Sequence, residues 1–328
     1  MTDEDVEAIK QAIWKHKLII IKGQQQMEPI KQWELCCRLD PGAPRSSHEL
    51  FMKDFHPKGE GQLKRIGVNC IPGAENVHLV GKGYQGEDHY GVKDKTISIA
   101  YMRDFQWSPI PDEEFEKGFT RFQGWHLDAP MYCREPALFT TFRVVKLPKG
   151  PPVTIRWDDG TGYTMKSPPG MTPFFCCSQL YEEFLTDDEK LLFDNSYVEY
   201  QALPFEWARN YEQYPVVWMN PSTGRKAFMV HCGVARRLFL RRSPDEEYKV
   251  IDDVNEVRDM LYDVVRRILK PEYILIPPEE DGDLLVWDNC STMHTRVDYP
   301  DSYGTKTCHQ AYNNSGQAPV GPVPVHIM

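Results

Sequence analysis

The sequence predicts a mainly β protein: a double-stranded β-helix (jelly roll, cupin-like) flanked by helices. Three observations carry this. Short apolar runs bounded by Gly, Pro, Asn and Asp recur from Leu138 onward, at strand length rather than helix length. Strand-like segments return at the end of the chain after a helical stretch. Long amphipathic helices are few. The 328 residues, 41% of them apolar, can bury one large core, so 1–328 is read as one domain with a helical insertion over about 180–270 and a tail over about 315–328.

In chain order, Thr2 and Asp5 form a capping pair for a helix running to about Lys17, with Val6, Ile9, Ile13 and Trp14 on one face. Leu18–Ile21 reads as a buried strand and Gln26–Cys37 as a second helix. Residues 40–61, rich in Pro, Gly, Ser and His, read as loop. Gln62–Val68 and Thr96–Tyr101 are strand candidates, and Asp104–Gly118 is an acidic, Pro-containing segment suited to a lid. Leu138–Val145 reads as a strand. Val153–Trp157 and Gly162–Met165 flank Asp158-Asp159-Gly160, a hairpin signal. Pro173–Cys177 gives a further strand, and Thr186 with Glu189 a capping box for a helix to about Asp194. Val216–Met219 and Lys226–Val230 flank the turn Asn220-Pro221-Ser222-Thr223-Gly224. Val254–Leu269 is the clearest helix, and Tyr273–Ile276, Asp283–Trp287 and Lys306–Tyr312 read as strands.

A formal net charge of −10 argues against a general nucleic-acid or membrane-surface binder. The basic pairs Arg236-Arg237 and Arg241-Arg242 read as parts of a solvated face. The nine cysteines include two adjacent pairs and no C-x-x-C, which fits free thiols in a reducing compartment better than a disulfide framework. The acidic N-terminus lacks the pattern of a signal peptide, and no apolar run approaches the ~20 residues that span a bilayer. The expectation is a soluble cytoplasmic protein with a small-molecule substrate, no nucleic-acid or membrane partner, and homo-oligomer formation left open.

Gly124-Trp125-His126-Leu127-Asp128 carries the chemistry. On a strand, residues i and i+2 share a face, so His126 and Asp128 project a nitrogen and an anionic oxygen to one point. A third ligand is available far downstream, where Gly282–Asn289 leads through a turn to His294. Two histidines and one carboxylate form the facial set that leaves coordination positions open on Fe(II). The same donors also suit Zn, Mn, Co and Ni, and an H-x-D tripeptide is common by chance. Of the other histidines, His16, His48, His56, His78, His89 and His326 read as surface or loop residues, and His231 is unassigned.

Four segments in register carry a family resemblance: Ile19-Ile20-Ile21-Lys22-Gly23-Gln24, Trp125–Asp128, Pro215–Val217 with Asn220–Ala227, and Gly282-Asp283 through Trp287-Asp288-Asn289 to His294. On them the chain resembles the taurine dioxygenase-like (TauD/TfdA) family of Fe(II)/2-oxoglutarate-dependent dioxygenases, most nearly its fungal xanthine dioxygenases. The likeness spans nearly the whole chain, although the chain starts closer to its first helix than family members often do. The resemblance implies Fe(II), 2-oxoglutarate and O2 as cofactors, with 2-oxoglutarate decarboxylated to succinate as a small organic substrate is hydroxylated, desaturated or cyclised. Asp128 speaks against the halogenase variant, which carries Gly or Ala there. It also implies a threonine and an arginine for the distal carboxylate of 2-oxoglutarate. Thr154 stands at the first position, and Lys306 at the second, as a point charge without the guanidinium fork. A further family arginine falls at His309, and Arg296 could substitute. On the substrate side, the resemblance points to Glu114 and Gln310 as retained, with Ile99 at a basic position, Phe115 at an acidic one and Tyr312 at a polar one; Phe115, Tyr132 and Tyr312 could line a more apolar pocket. Those departures argue against xanthine itself. Lys64 and Arg65 could meet an acidic substrate group. Two alternatives stay open: an iron oxidase on the same triad that needs no 2-oxoglutarate, and a jelly roll that only binds ligand or holds hydrolytic zinc.

Overall fold

Alternation of side chains along strands builds the site's platform, because inward residues meet a second layer and outward ones meet helices. The structure, a computed structural model, describes residues 1–43, 69–98, 106, 108–128, 135–200 and 212–323. Two N-terminal helices are α1 (Asp3–His16) and α2 (Pro29–Leu39). The strands of the main sheet are β1 (Leu18–Ile21), β2 (Asn69–Ile71), β3 (Ala74–Tyr84), β4 (Glu135–Lys146), β14 (Leu284–Asp288) and β16 (Lys306–Ser315). They run in the order β1-β14-β4-β16-β3-β2, with Thr96–Ile97 added to β3, and every pairing is antiparallel.

Leu284 and Val286 point outward to Val6, Ile13, Leu35 and Leu39 of the two helices. Leu285 and Trp287 point inward, with Phe142, Val144, Val80 and Cys308, against Phe174 of the second layer. That layer contains β5 (Val153–Arg156), β6 (Thr164–Ser167), β7 (Phe174–Cys176) and β15 (Thr292–His294). β5 and β6 form the expected hairpin, and Phe119–Thr120 lies parallel to β5. β15 pairs with β7 on one side and bridges His126 on the other. Two facing, mostly antiparallel layers with helices outside form the jelly-roll arrangement.

Between the layers' strands, residues 187–265 hold more than helices. β8 (Tyr197–Tyr200), β9 (Glu212–Pro215), β12 (Ala235–Leu240) and β13 (Lys249–Ile251) make an antiparallel sheet in the order β9-β8-β12-β13. β10 (Val217–Met219) and β11 (Lys226–Phe228) form the expected hairpin. Helices α3 (Asp187–Asp194) and α4 (Val254–Val265) accompany them, α4 burying Val257, Leu261, Val264 and Val265. The insertion expected to be helical is therefore mixed: β-branched and aromatic runs such as Tyr197–Tyr200 pair with strands distant in sequence.

Other expectations change as well. The 40–61 loop beyond residue 43 and the Gln62–Val68 strand lie outside the described residues, and of Thr96–Tyr101 only Thr96–Ile97 is a described strand. The eleven-residue β3 was not anticipated, since Gly81, Lys82 and Gly83 interrupt its apolar pattern. Gly81 is required there: at φ 153° a Cβ would lie 2.0 Å from the Lys306 carbonyl oxygen. β1 is half-buried rather than buried, as an edge strand whose one partner is β14. Among the described residues no helix is long and apolar enough to cross a membrane, and the eight described cysteines are free. Arg236 pairs with Glu199 at 2.6 Å and Arg237 reaches the same carboxylate at 3.7 Å, while Arg242 reaches Asp188 at 3.5 Å.

Candidate metal centre

His126 lies two residues after Gly124, on a segment that meets β15 through a single antiparallel bridge rather than as a continuous strand. The His126 N–H donates to the His294 carbonyl at 3.0 Å and the His294 N–H returns the bond at 3.0 Å. Such a doubly bonded antiparallel pair sets the two side chains side by side. Their ring centroids lie 4.3 Å apart. Asp128, two residues on, faces the same point, with Oδ1 3.6 Å from His294 Nε2. Ligand atoms of His126, Asp128 and His294 all lie within 4.8 Å of one another.

Neighbouring side chains and carbonyls fix each group through hydrogen bonds and ring contacts. Asn289 Oδ1 accepts from the Asp128 N–H at 2.9 Å, while its Nδ2 donates to the carbonyls of Asp128 and Ala137. Gln310 Nε2 donates to Asp128 Oδ1 at 2.8 Å. His126 Nδ1 sits 3.0 Å from the Gly124 carbonyl, which can only accept, so Nδ1 carries the proton and Nε2 is a free lone pair. His294 packs against the rings of Phe174, stacked at 5.6 Å, and Trp287 at 5.0 Å, which also touch each other.

Electrostatics favour cation binding. Burial, with His294 beside it, pushes the His126 imidazole down to about 3, so it is neutral near pH 7. Burial would raise the Asp128 carboxyl, but the two imidazoles and the hydrogen bonds outweigh it and hold it below the usual range. Asp128 Oδ2 and His294 Nδ1 are buried without a hydrogen-bond partner among the described residues. A buried ionised oxygen converging with two imidazoles fits a divalent cation.

The three residues open on a cavity that Arg296, Lys306, Gln310, Lys82, Thr172 and Gly170 also line. Lys306 donates to the Gly170 carbonyl and lies 5.2 Å over the Phe142 ring. Near it, Glu279 is buried and accepts from the Thr172 N–H at 3.0 Å; burial, opposed by the Lys306 charge, pushes its carboxyl up to about 7. Arg296 makes no side-chain hydrogen bond or ion pair with the described residues. Lys82 is committed to Asp298 at 2.8 Å and Asp301 at 2.7 Å.

The remaining sequence-derived residues fall elsewhere. Thr154 is half-buried on β5 and does not line this cavity among the described residues; Thr172 does. Glu114 is ion-paired with Arg156, whose guanidinium lies 3.7 Å from the Phe119 ring centroid. Phe115 is buried and lines a neighbouring cleft that shares Lys82. Tyr312 is buried edge-on to His78 at 5.8 Å. His78, expected at the surface, is buried on β3. His309 is fully buried on the outward face of β16, 2.7 Å from His89, so it does not take the family arginine's place; the inward residues beyond Lys306 are Cys308 and Gln310. Tyr132, Ile99, Lys64 and Arg65 lie outside the described residues. Sequence reasoning missed Lys82 and Thr172, which no local pattern marks. It quoted Asn289 within a motif without giving it a task.

Known proteins agree with this architecture. Residues 1–312 match the model of the family described as "Taurine catabolism dioxygenase TauD, TfdA family". The chain is 39% identical over 358 aligned positions to the alpha-ketoglutarate-dependent dioxygenase fc-dox of Phomopsis amygdali, covering 99% of this chain and 89% of that one. Identity is 29% over 326 positions to the alpha-ketoglutarate-dependent xanthine dioxygenase xanA of Emericella nidulans, covering 90% and 85%. The crystal structure of AAD-2 in complex with Mn(II) and N-oxalylglycine shares the fold, with a TM-score of 0.62 at 16% identity over 98% of this chain and 92% of that one. With the family model matching nearly end to end, the chain belongs to the TauD, TfdA dioxygenase family.

Proposed function

We propose that the chain is an Fe(II)- and 2-oxoglutarate-dependent dioxygenase that hydroxylates, desaturates or cyclises a small organic molecule. The observation that carries the reading is the convergence of His126, Asp128 and His294 within 4.8 Å, with one carboxylate oxygen left unpartnered. These residues would hold Fe(II), which with 2-oxoglutarate and O2 supplies the oxidant for a substrate C–H bond while succinate and CO2 leave. The protein's own part is to bind, orient and exclude water. Trp287 and Phe174 wall off His294 on its apolar side. Arg296 and Lys306 place two cations on the cavity wall, a charge pattern suited to the carboxylates of a 2-oxo diacid.

Incubation with Fe(II), 2-oxoglutarate and O2 should release succinate, and Asp128→Ala should abolish it while the circular dichroism spectrum stays native. Succinate release equal to buffer, from protein that retains no iron, would overturn the proposal. The second reading, an iron oxidase independent of 2-oxoglutarate, draws on Lys306, whose ammonium is engaged by the Gly170 carbonyl and lacks a fork for both carboxylate oxygens. O2 consumption unchanged by omitting 2-oxoglutarate would favour it.

A further inference from the structure

Asp128 is gripped at two levels. Asn289 fixes its backbone, and Gln310 reaches across from β16 to fix its carboxylate. The amide orientation of Gln310 is unambiguous, because an ionised carboxylate accepts and only the amide nitrogen donates. The contact makes the two carboxylate oxygens unequal. Oδ1 takes the Gln310 bond at 2.8 Å and lies 3.6 Å from His294 Nε2, whereas Oδ2 is buried and unpartnered among the described residues. A carboxylate otherwise turns easily about its last bond, presenting either oxygen or both.

We propose that Gln310 is a positioning residue of the metal centre, donating to Asp128 Oδ1 and so holding the carboxylate turned toward His126 and His294, where a divalent cation would meet it. This rests on the proposed metal-binding role of the triad and assigns Gln310 to the cation, where the sequence resemblance suggested substrate. Gln310 reaches this place because β16 turns residues 306, 308 and 310 inward, which sets the amide over Asp128 while Lys306 stands further along the same cavity wall. Without the amide, Oδ1 loses its donor and the carboxylate is free to rotate.

Mn(II) serves as the probe, titrated into the full chain with neither substrate nor 2-oxoglutarate present, and free Mn(II) is read by electron paramagnetic resonance. Gln310→Met keeps the length and removes the donor. The expected result is a Kd for Mn(II) raised about 10–100-fold, the range typical for loss of a ligand's outer partner, with the metal-free melting temperature unchanged. A Kd equal to that of the unaltered chain overturns the assignment, since a residue that only touches substrate cannot affect metal binding in its absence. If Gln310→Met does not fold, Gln310→Leu carries the same comparison. If the unaltered chain binds no Mn(II), it is the metal-centre reading itself that fails.

Discussion

At the scale of single residues, Asp288 is the knot that ties the site to the rest of the chain. Its carboxylate accepts from Lys17 Nζ at 3.2 Å, Asn220 Nδ2 at 3.0 Å, the Cys290 N–H at 3.0 Å and the Ser291 hydroxyl. Lys17, at the end of α1, and Asp288 are both buried. One carboxylate therefore joins the N-terminal helix, the Asn220 turn and the loop that delivers His294. The energetic value of such a pair lies in the cost of breaking it: removing one partner leaves a buried charge alone. Asp288→Ala should lower stability by about 3–5 kcal/mol in denaturant unfolding. A loss below about 1 kcal/mol, the range of an exposed pair, would show that Lys17 finds solvent instead.

Elements are set by signals a few residues long. The capping boxes of α1 and α3 form as the sequence predicts: Thr2 with Asp5, and Thr186 with Glu189. Glu189 has a second task, since Arg267 beyond α4 donates to both its oxygens, at 2.7 and 2.9 Å. Those bonds, opposed by burial, pull its carboxyl down to about 2. Thr186→Ala removes the hydroxyl that accepts from the Glu189 N–H and should cost about 1 kcal/mol, read as a shifted unfolding midpoint. An unshifted midpoint would mean that the Arg267 pair alone holds the start of α3.

For the whole molecule, buried neutral histidines govern acid stability. Burial, with His89 and Arg143 adjacent, pushes His309 down to about 2; burial pushes His78 down to about 4. Both start from an ordinary value of 6.5, so the unfolded chain takes up protons below that pH while the folded chain does not. Their contribution is complete above 6.5 and is lost as pH falls towards the folded values. Urea unfolding should show a loss of about 2 kcal/mol per histidine between pH 7.5 and pH 5, and His309→Gln should remove one such share. A midpoint independent of pH over that window would contradict the burial of these rings.

Local chemistry was readable from the chain itself. Caps, hairpin turns and the i, i+2 pairing of His126 with Asp128 depend on neighbours a few residues away, and the structure has them where the pattern placed them. What needed the tertiary structure is which face each distant strand turns to the cavity. That choice depends on register between β16, β4 and β3, and a shift of one residue exchanges every inward side chain for an outward one. Gln310 thereby meets Asp128 while His309 faces Arg143 and His89, and Thr172, not Thr154, lines the cavity. Register is set by packing between segments far apart in sequence, so spacing along the chain carries little information about it.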